Sequence, residues 1–148
     1  MSTACLSHTR ILDKDPVTVG HWMHAHGAAP YREGVTCIGL ERDGQLVAGA
    51  MFEHYNGSSI CAHIAVTGRF TREWLWFICH YPFVQLGCKV VIGLVPSHNT
   101  KARLFDENFG FKYRTTIPHG DPSGDLCVYT LEPQDCRFLT RRSYGRQR

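Results

Sequence analysis

Glu53, His54 and His63 are the side chains in this sequence best placed to move a proton. Glu53 and His54 close one apolar run, His63 stands in the middle of the next, and Asn56-Gly57-Ser58 turns the chain between them. That spacing sets the three on adjacent antiparallel strands. Imidazole titrates near neutrality, so it can serve as a general base or, protonated, as an acid. A histidine in mid-strand is also an ordinary hydrogen-bonded core residue, and both readings of His63 stand. Immediately downstream, Gly68, Arg69 and Arg72 surround Thr71, a candidate helix N-cap. Guanidinium forks beside the exposed N–H groups of a helix start can hold phosphate groups.

Two other clusters carry less chemistry. His21, His24 and His26 suggest a metal site, but residues 24 and 26 stand about 200° apart around a helix, so the three cannot share one face. No metal is expected, and a surface or substrate-side role suits these histidines better. Trp74, Trp76, Phe77, Tyr81 and Phe83 recur at helical spacing and read as packing.

The elements that must position these groups can be read in order. Thr36 to Arg42 and Gln45 to Glu53 flank Asp43-Gly44, a two-residue hairpin signal. Ser59 to Val66 forms a third strand, with Cys61, His63 and Ala65 on one face and Ala62, Ile64 and Val66 on the other. A helix runs from Arg72 to about Leu86, kinked or split by Pro82 and stopped by Gly87. Lys89 to Val95 is a strand, a helix follows Asn99 and stops at Gly110, and Phe111 to Ile117 and Asp125 to Leu131 are the last strands. His119 to Gly124 is expected as a long hairpin loop between them, and one short helix spans Val17 to His26. From Thr36 onward the order is β-β-β-α-β-α-β-β.

With 148 residues, 43% of them hydrophobic, the chain supports one core, a single domain over residues 1–136. No apolar run reaches the roughly 20 residues of a membrane helix, and the N-terminus lacks the apolar stretch of a signal peptide. The expectation is a cytoplasmic protein, monomeric or homodimeric, with no membrane partner. Seven scattered cysteines without a CxxC pair read as reduced thiols. The net charge of +3 arises in residues 137–148, where Arg137, Arg141, Arg142, Arg146 and Arg148 stand without an acid. This tail reads as a disordered solvated end, or as a salt-dependent contact for nucleic acid on which Phe138 and Tyr144 could stack.

The stretch Val90 to Phe111 carries a family resemblance. Asn99, Ala102 and the closing pair Gly110-Phe111 stand where acetyl-CoA-dependent N-acetyltransferases of the GNAT superfamily place an Asn, a small residue and a Gly-Phe on the same helix. The resemblance covers about residues 36–132, and FTREWLWFICHYPFVQLG adds a likeness to small GNAT-like proteins of tailed bacteriophages. It implies an α/β fold: a mixed, mostly antiparallel sheet with flanking helices, splayed between its fourth and fifth strands, here Ser59 to Val66 and Lys89 to Val95. Acetyl-CoA enters that opening as acyl donor. Ala65, Val66 and Thr67 are implied to hold pantetheine, and Gly68, Arg69, Arg72 and Asn99 the phosphate end.

The chain departs from the family in three places. TGRFTREW replaces the glycine-rich pyrophosphate turn and keeps only Gly68. Seven residues after Asn99, where many members carry a Tyr that protonates the leaving thiolate, stands Asp106. Tyr113, Tyr81, Ser97 or protonated His63 is then implied as the acid, and His63, Glu53 or His54 as the base for the acceptor ammonium. The first 35 residues are shorter than the family's first strand and two helices, which implies an open acceptor side and a bulky amine. An aminomethylated base in viral DNA, acetylated against host restriction in the host cytoplasm, fits that expectation. The alternative is a non-catalytic GNAT-fold protein that binds a host protein or nucleic acid.

Overall fold

Asp43 and Gly44 take left-handed backbone angles, φ +53 and +83, and close β2 (Thr36–Arg42) onto β3 (Gln45–Glu53) in the turn class that matches strand twist. The computed structural model describes residues 7–139. Before this hairpin lie β1 (Thr9–Leu12) and α1 (Pro16–Ala25); after it come β4 (Ser59–Val66), α2 (Arg72–His80), β5 (Val90–Pro96), α3 (Thr100–Phe109), β6 (Lys112–Asp121) and β7 (Gly124–Leu131). Seven strands form one sheet in the order β1-β2-β3-β4-β5-β7-β6. Among the described strands, only β4 and β5 run parallel. The sheet is thus mixed and mostly antiparallel, with helices on both faces.

β1 corrects the expectation that the N-terminal region holds a single helix. Its four residues carry no strand pattern of their own and are fixed by pairing with β2, Thr9 opposite Arg42 through Leu12 opposite Gly39. α1 starts at Pro16, and the Asp15 carboxylate accepts from the Thr18 N–H at 3.2 Å, an N-cap that the proline complements. The last hairpin also differs from expectation. β6 continues through His119 to Asp121 with two register breaks, so the connection is only Pro122-Ser123, tied by Asp121 Oδ2 accepting from the Ser123 N–H at 3.0 Å.

α2 opens as expected at Thr71, whose hydroxyl accepts from the Trp74 N–H. Pro82 cannot donate into an α-helix, and from Tyr81 to Gln85 the chain widens into a π-helical turn in which the Leu86 N–H reaches Tyr81 O at 3.0 Å. Gly110 ends α3 at φ +127; a Cβ there would also meet Asp135 O at 2.6 Å.

The larger core lies between the sheet and the α2/α3 face, around Leu40, Ala50, Trp74, Ile78, Phe109 and Tyr129. Trp74 is fully buried and its indole N–H donates to Ile38 O at 3.0 Å. A smaller core under α1 holds Val19, Met23, Cys37 and Met51. There Gly39 and Gly49 stand directly opposite one another on β2 and β3, and a Cβ on Gly39 would lie 2.9 Å from Val19. The glycine pair is the seat into which α1 presses its Val19 and Met23.

Cys37, Cys79, Cys88, Cys127 and Cys136 are buried, and the six described cysteines are not in disulfides. Cys136 Sγ donates to Cys79 Sγ, which ties the segment after β7 to α2. That segment does not leave the core at residue 136: Phe138 packs on Phe109 with ring centroids 5.0 Å apart, and Leu139 packs against the same cluster. No helix among the described residues is long and apolar enough to cross a membrane.

Candidate active site

β4 and β5 stay paired for four residues, from Ser59 opposite Val90 to Ala62 opposite Gly93, and then part. β4 continues on β3 to Val66, while β5 continues on β7 to Pro96. The edge of β4 from His63 to Val66 therefore has no strand on its outer side among the described residues. Main-chain groups there need a partner, and an extended ligand that bonds like a strand supplies one. A cavity of about 300 Å³ lies along that edge, lined by Ala65, Val66 and Thr67 on one side and Asn99, Ala102 and Asp106 on the other. A second, of about 110 Å³, holds His63, Leu94, Asn99 and Asp106 together with the chain after α1, His26 to Ala28.

Asn99 shapes both spaces as the N-cap of α3: its side-chain oxygen accepts from the Ala102 N–H at 3.1 Å, and Ala102, one turn in, leaves the wall low. The structure thus sets Asn99 with Ala65, Val66 and Thr67, while the expected phosphate group of Gly68, Arg69 and Arg72 stands beyond the end of β4. In that second group Arg69 and Arg72 are exposed. Arg42 donates to Arg69 O at 2.9 Å and fixes the loop. Arg72 opens α2, where N–H groups point outward, and it borders a cavity of about 490 Å³ with Phe70, Phe105, Phe109, Arg137 and Phe138. Arg137, expected as a nucleic-acid contact, lies there with its guanidinium 4.8 Å from the Phe138 ring centroid; Arg141, Arg142, Arg146 and Arg148 fall outside the described residues.

The proton-transfer candidates on β3 and β4 come together. His63 Nε2 lies 2.5 Å from Glu53 Oε2, and Glu53 Oε1 accepts from Arg32 at 2.7 Å. The Glu53 side chain is 8% exposed, so both of its oxygens are engaged in a place shielded from water. His54, at the end of β3 with φ +63, sits 3.6 Å from the same carboxylate. A Glu53 carboxylate that takes the Nε2–H leaves His63 Nδ1 as the accepting nitrogen.

Tyr113 lies elsewhere. It is half exposed on β6, its hydroxyl bonded to Thr116 Oγ1 at 2.6 Å, and it borders none of these cavities. Tyr81 bonds Thr36 Oγ1 at 2.9 Å from the π-helical turn, and Ser97 gives its carbonyl to Arg103. Asp106, by contrast, lines both spaces at the strand opening. The α1 histidines are tied to their own chain, His24 to Ala28 O and His26 to Trp22 O. Among the described residues no group of three His, Cys, Asp or Glu is placed to hold a metal ion.

No protein-family model matches the chain, and no curated protein matches it by sequence. Solved structures do. yncA from Salmonella typhimurium, named as an acetyltransferase and solved with its cofactor acetyl-CoA, superposes at TM-score 0.64 with 17% identity over 86% of this chain and 94% of its own. A variant of spermidine N-acetyltransferase SpeG from Vibrio cholerae gives TM-score 0.68 with 14% identity, covering 91% of this chain and 97% of its own. A chimera of SpeG with hSSAT gives 0.66 with 13% identity, over 90% and 98%. The chain has the GNAT fold.

Proposed function

We propose that this protein is an N-acetyltransferase that moves an acetyl group from acetyl-CoA to a primary amine by direct attack, without a covalent enzyme intermediate. The observation that carries the reading is the open edge of β4, with the linked pair His63 and Glu53 at its start. Acetyl-CoA is here a substrate, and the residues present suit it. His63 to Val66 offer main-chain groups to pantetheine, Ala102 leaves room, and Arg69 and Arg72 with the α2 N-terminus meet phosphates at the far end. His63 Nδ1 takes the proton of the acceptor ammonium, and Glu53, held by Arg32, stabilises the imidazolium that results.

The acceptor we infer is an amine borne on an anionic carrier. Lys101 and His26 line the opening, and Arg32 and His54 lie against Glu53 beside it; of the acids, Glu53 is engaged by His63 and Arg32, and Asp106 is buried at the apex. A phosphate-bearing molecule meets Lys101 and the imidazole of His26 there as charged and hydrogen-bonding partners. An aminomethylated base of viral DNA is such a carrier, its amine already projecting into the major groove and requiring no base flipping. We place the reaction in the cytoplasm, that of the host for a phage chain.

The test is the melting temperature with and without acetyl-CoA, for wild type and an Arg69→Ala, Arg72→Ala double variant, followed by turnover on aminomethyl-uracil DNA, lysine peptides and spermidine. A shift in wild type that shrinks in the double variant is expected, with the DNA-borne amine acetylated fastest. No shift in wild type would overturn the enzyme in favour of a non-catalytic GNAT-fold binding protein; a shift with spermidine preferred would overturn the anionic carrier alone.

A further inference from the structure

We propose that Asp106 is the general acid of this site: its carboxyl protonates the thiolate that leaves when the thioester is cleaved. The inference rests on the acetyl-transfer reading above and adds to it the group that completes the reaction.

The placement is specific. Asp106 is the one charged residue type in the buried set among the described residues, at 8% exposure. It borders the cavity that runs along Ala65 to Thr67 and also the one that holds His63. Its Oδ2 sits 3.3 Å from where a Cβ on Gly93 would stand, and Gly93 faces Ala62 in the last pair before the strands part. The carboxyl therefore stands at the apex of the opening. Among the described residues it has no side-chain hydrogen bond or ion pair; only its main-chain oxygen is engaged, by the N–H groups of Gly110 and Phe111. A buried acid without a partner, aimed into a cleft, is costly unless it has a task.

Its surroundings hold the proton on. Burial pushes the Asp106 pKa up to about 7, with the Glu107 carboxylate adding to the rise. On its own helix Arg103 is turned away, bonded to Tyr129 Oη and Ser97 O, and Lys101 lines the same cavity. From β4 the facing titratable group is His63, and from the chain after α1 it is His26. β5 presents only Gly93, Leu94, Val95 and Pro96 there, and the Tyr129 hydroxyl of β7 is occupied by Glu107 and Arg103. The tyrosines have other partners: Tyr113 bonds Thr116, and Tyr81 bonds Thr36.

The step balances without a further reactant. His63 Nδ1 takes one proton of the acceptor ammonium and passes it to water; the freed amine nitrogen attacks the carbonyl carbon, the C–N bond forms, and the second nitrogen proton passes to His63 Nδ1. The tetrahedral species collapses, the C–S bond breaks, and the sulfur takes both electrons of that bond and the proton of Asp106. Amide and CoA thiol leave, His63 releases its proton to water and Asp106 regains one from it.

The test uses the full chain, Asp106→Asn, Asp106→Glu and two readouts. The first is the thiolate absorbance of bound CoA against pH. Above about pH 7 a wild-type carboxylate beside the sulfur opposes a second negative charge, so the bound thiol should titrate at least half a pH unit lower in the Asn variant. The second is turnover: kcat should fall about 100-fold in the Asn variant with the KM for acetyl-CoA unchanged, the Glu variant should restore part of it, and the wild-type decline in kcat above about pH 7 should vanish in the Asn variant. Identical thiol titrations, or equal kcat in wild type and the Asn variant with turnover intact, overturn the assignment of Asp106 and leave the acetyltransferase standing. A wild type that binds no CoA overturns both.

Discussion

Asp106 occupies the space that Gly93 leaves empty. The carboxyl oxygen stands 3.3 Å from the position of a Gly93 Cβ, and the Phe111 ring, at 3.4 Å, closes the other side. A helix acid and a strand glycine thus share one volume at the point where β4 and β5 part. Gly93→Ala should force the carboxyl outward toward the cleft, because the ring is held in the core and the acid is the softer neighbour. The expected cost is about 1 kcal/mol, the lower end for overpacking, seen as a lowered Tm. Activity should fall further than stability, since the same shift moves the acid. Equal Tm and equal kcat in the Ala variant would show that the two residues do not compete for the space.

The same acid gives stability a pH dependence of known sign. Its folded pKa, raised from 3.8 to about 7 by burial, lies above the unfolded value. Below about pH 4 both states hold the proton and Asp106 is neutral toward folding. Between the two values the unfolded chain ionises first, and each pH unit costs the folded state about 1.4 kcal/mol. The loss is complete above about pH 7. Asp106→Asn, which cannot ionise, should therefore gain stability over wild type as pH rises from 4 to 8, by a few kcal/mol at most, and gain nothing at pH 4. Urea unfolding at several pH values measures the difference; a gain that is flat with pH would contradict the buried, protonated acid.

Much of the frame was legible in the sequence because it is encoded locally. Asp43-Gly44 dictates a tight hairpin, and β2, β3 and β4 begin and end where alternation and turn residues place them. Thr71 caps α2, and Pro82 breaks it. β1 was not legible: four residues with no apolar face become a strand only by pairing with β2 some thirty positions away. The loop expected at His119 to Gly124 is largely strand for the same reason, β7 supplying the partner that turn-prone residues hide. In the site, His63 and Glu53 were named from alternation and adjacency, and the structure brings them within hydrogen-bonding distance. Asp106 was visible only as a departure, because neither its burial nor its glycine neighbour can be read from α3 alone. Arg32 gave no signal, since it lies in an irregular stretch and meets Glu53 only through the fold.

The His63–Glu53 pair should behave as one unit in catalysis. Glu53→Gln keeps the size of the side chain but removes the charge that fixes the Nε2–H and balances the imidazolium; kcat should fall by about 10- to 100-fold. His63→Ala removes the base itself, with a loss of about 100-fold or more. The double variant should lose little beyond the His63 variant, because Glu53 acts through the imidazole. Steady-state kinetics on the three variants with a saturating amine separates this from independent roles, in which the two losses would multiply.

Gly39 and Gly49 tie the stability of α1 to the acceptor side of the cleft. Facing each other across β2 and β3, they let Val19 and Met23 approach the sheet, and α1 in turn delivers His26 to Ala28 to the cavity that holds His63. Gly39→Val would set branched carbons against Val19, itself stiff at χ1, and against Leu46, both within 2.9 Å of the new Cβ. A loss of about 1–3 kcal/mol is expected. Gly49→Ala should be milder, because its nearest atom, Met23 Sδ at 2.6 Å, belongs to a flexible side chain that can turn aside. Denaturant unfolding ranks the two. If α1 is the acceptor wall, the Gly39 variant should also raise the KM for the amine while leaving that for acetyl-CoA unchanged, because β4 and α3 are untouched; a parallel rise in both constants would mean that the helix supports the whole sheet and not the acceptor side in particular.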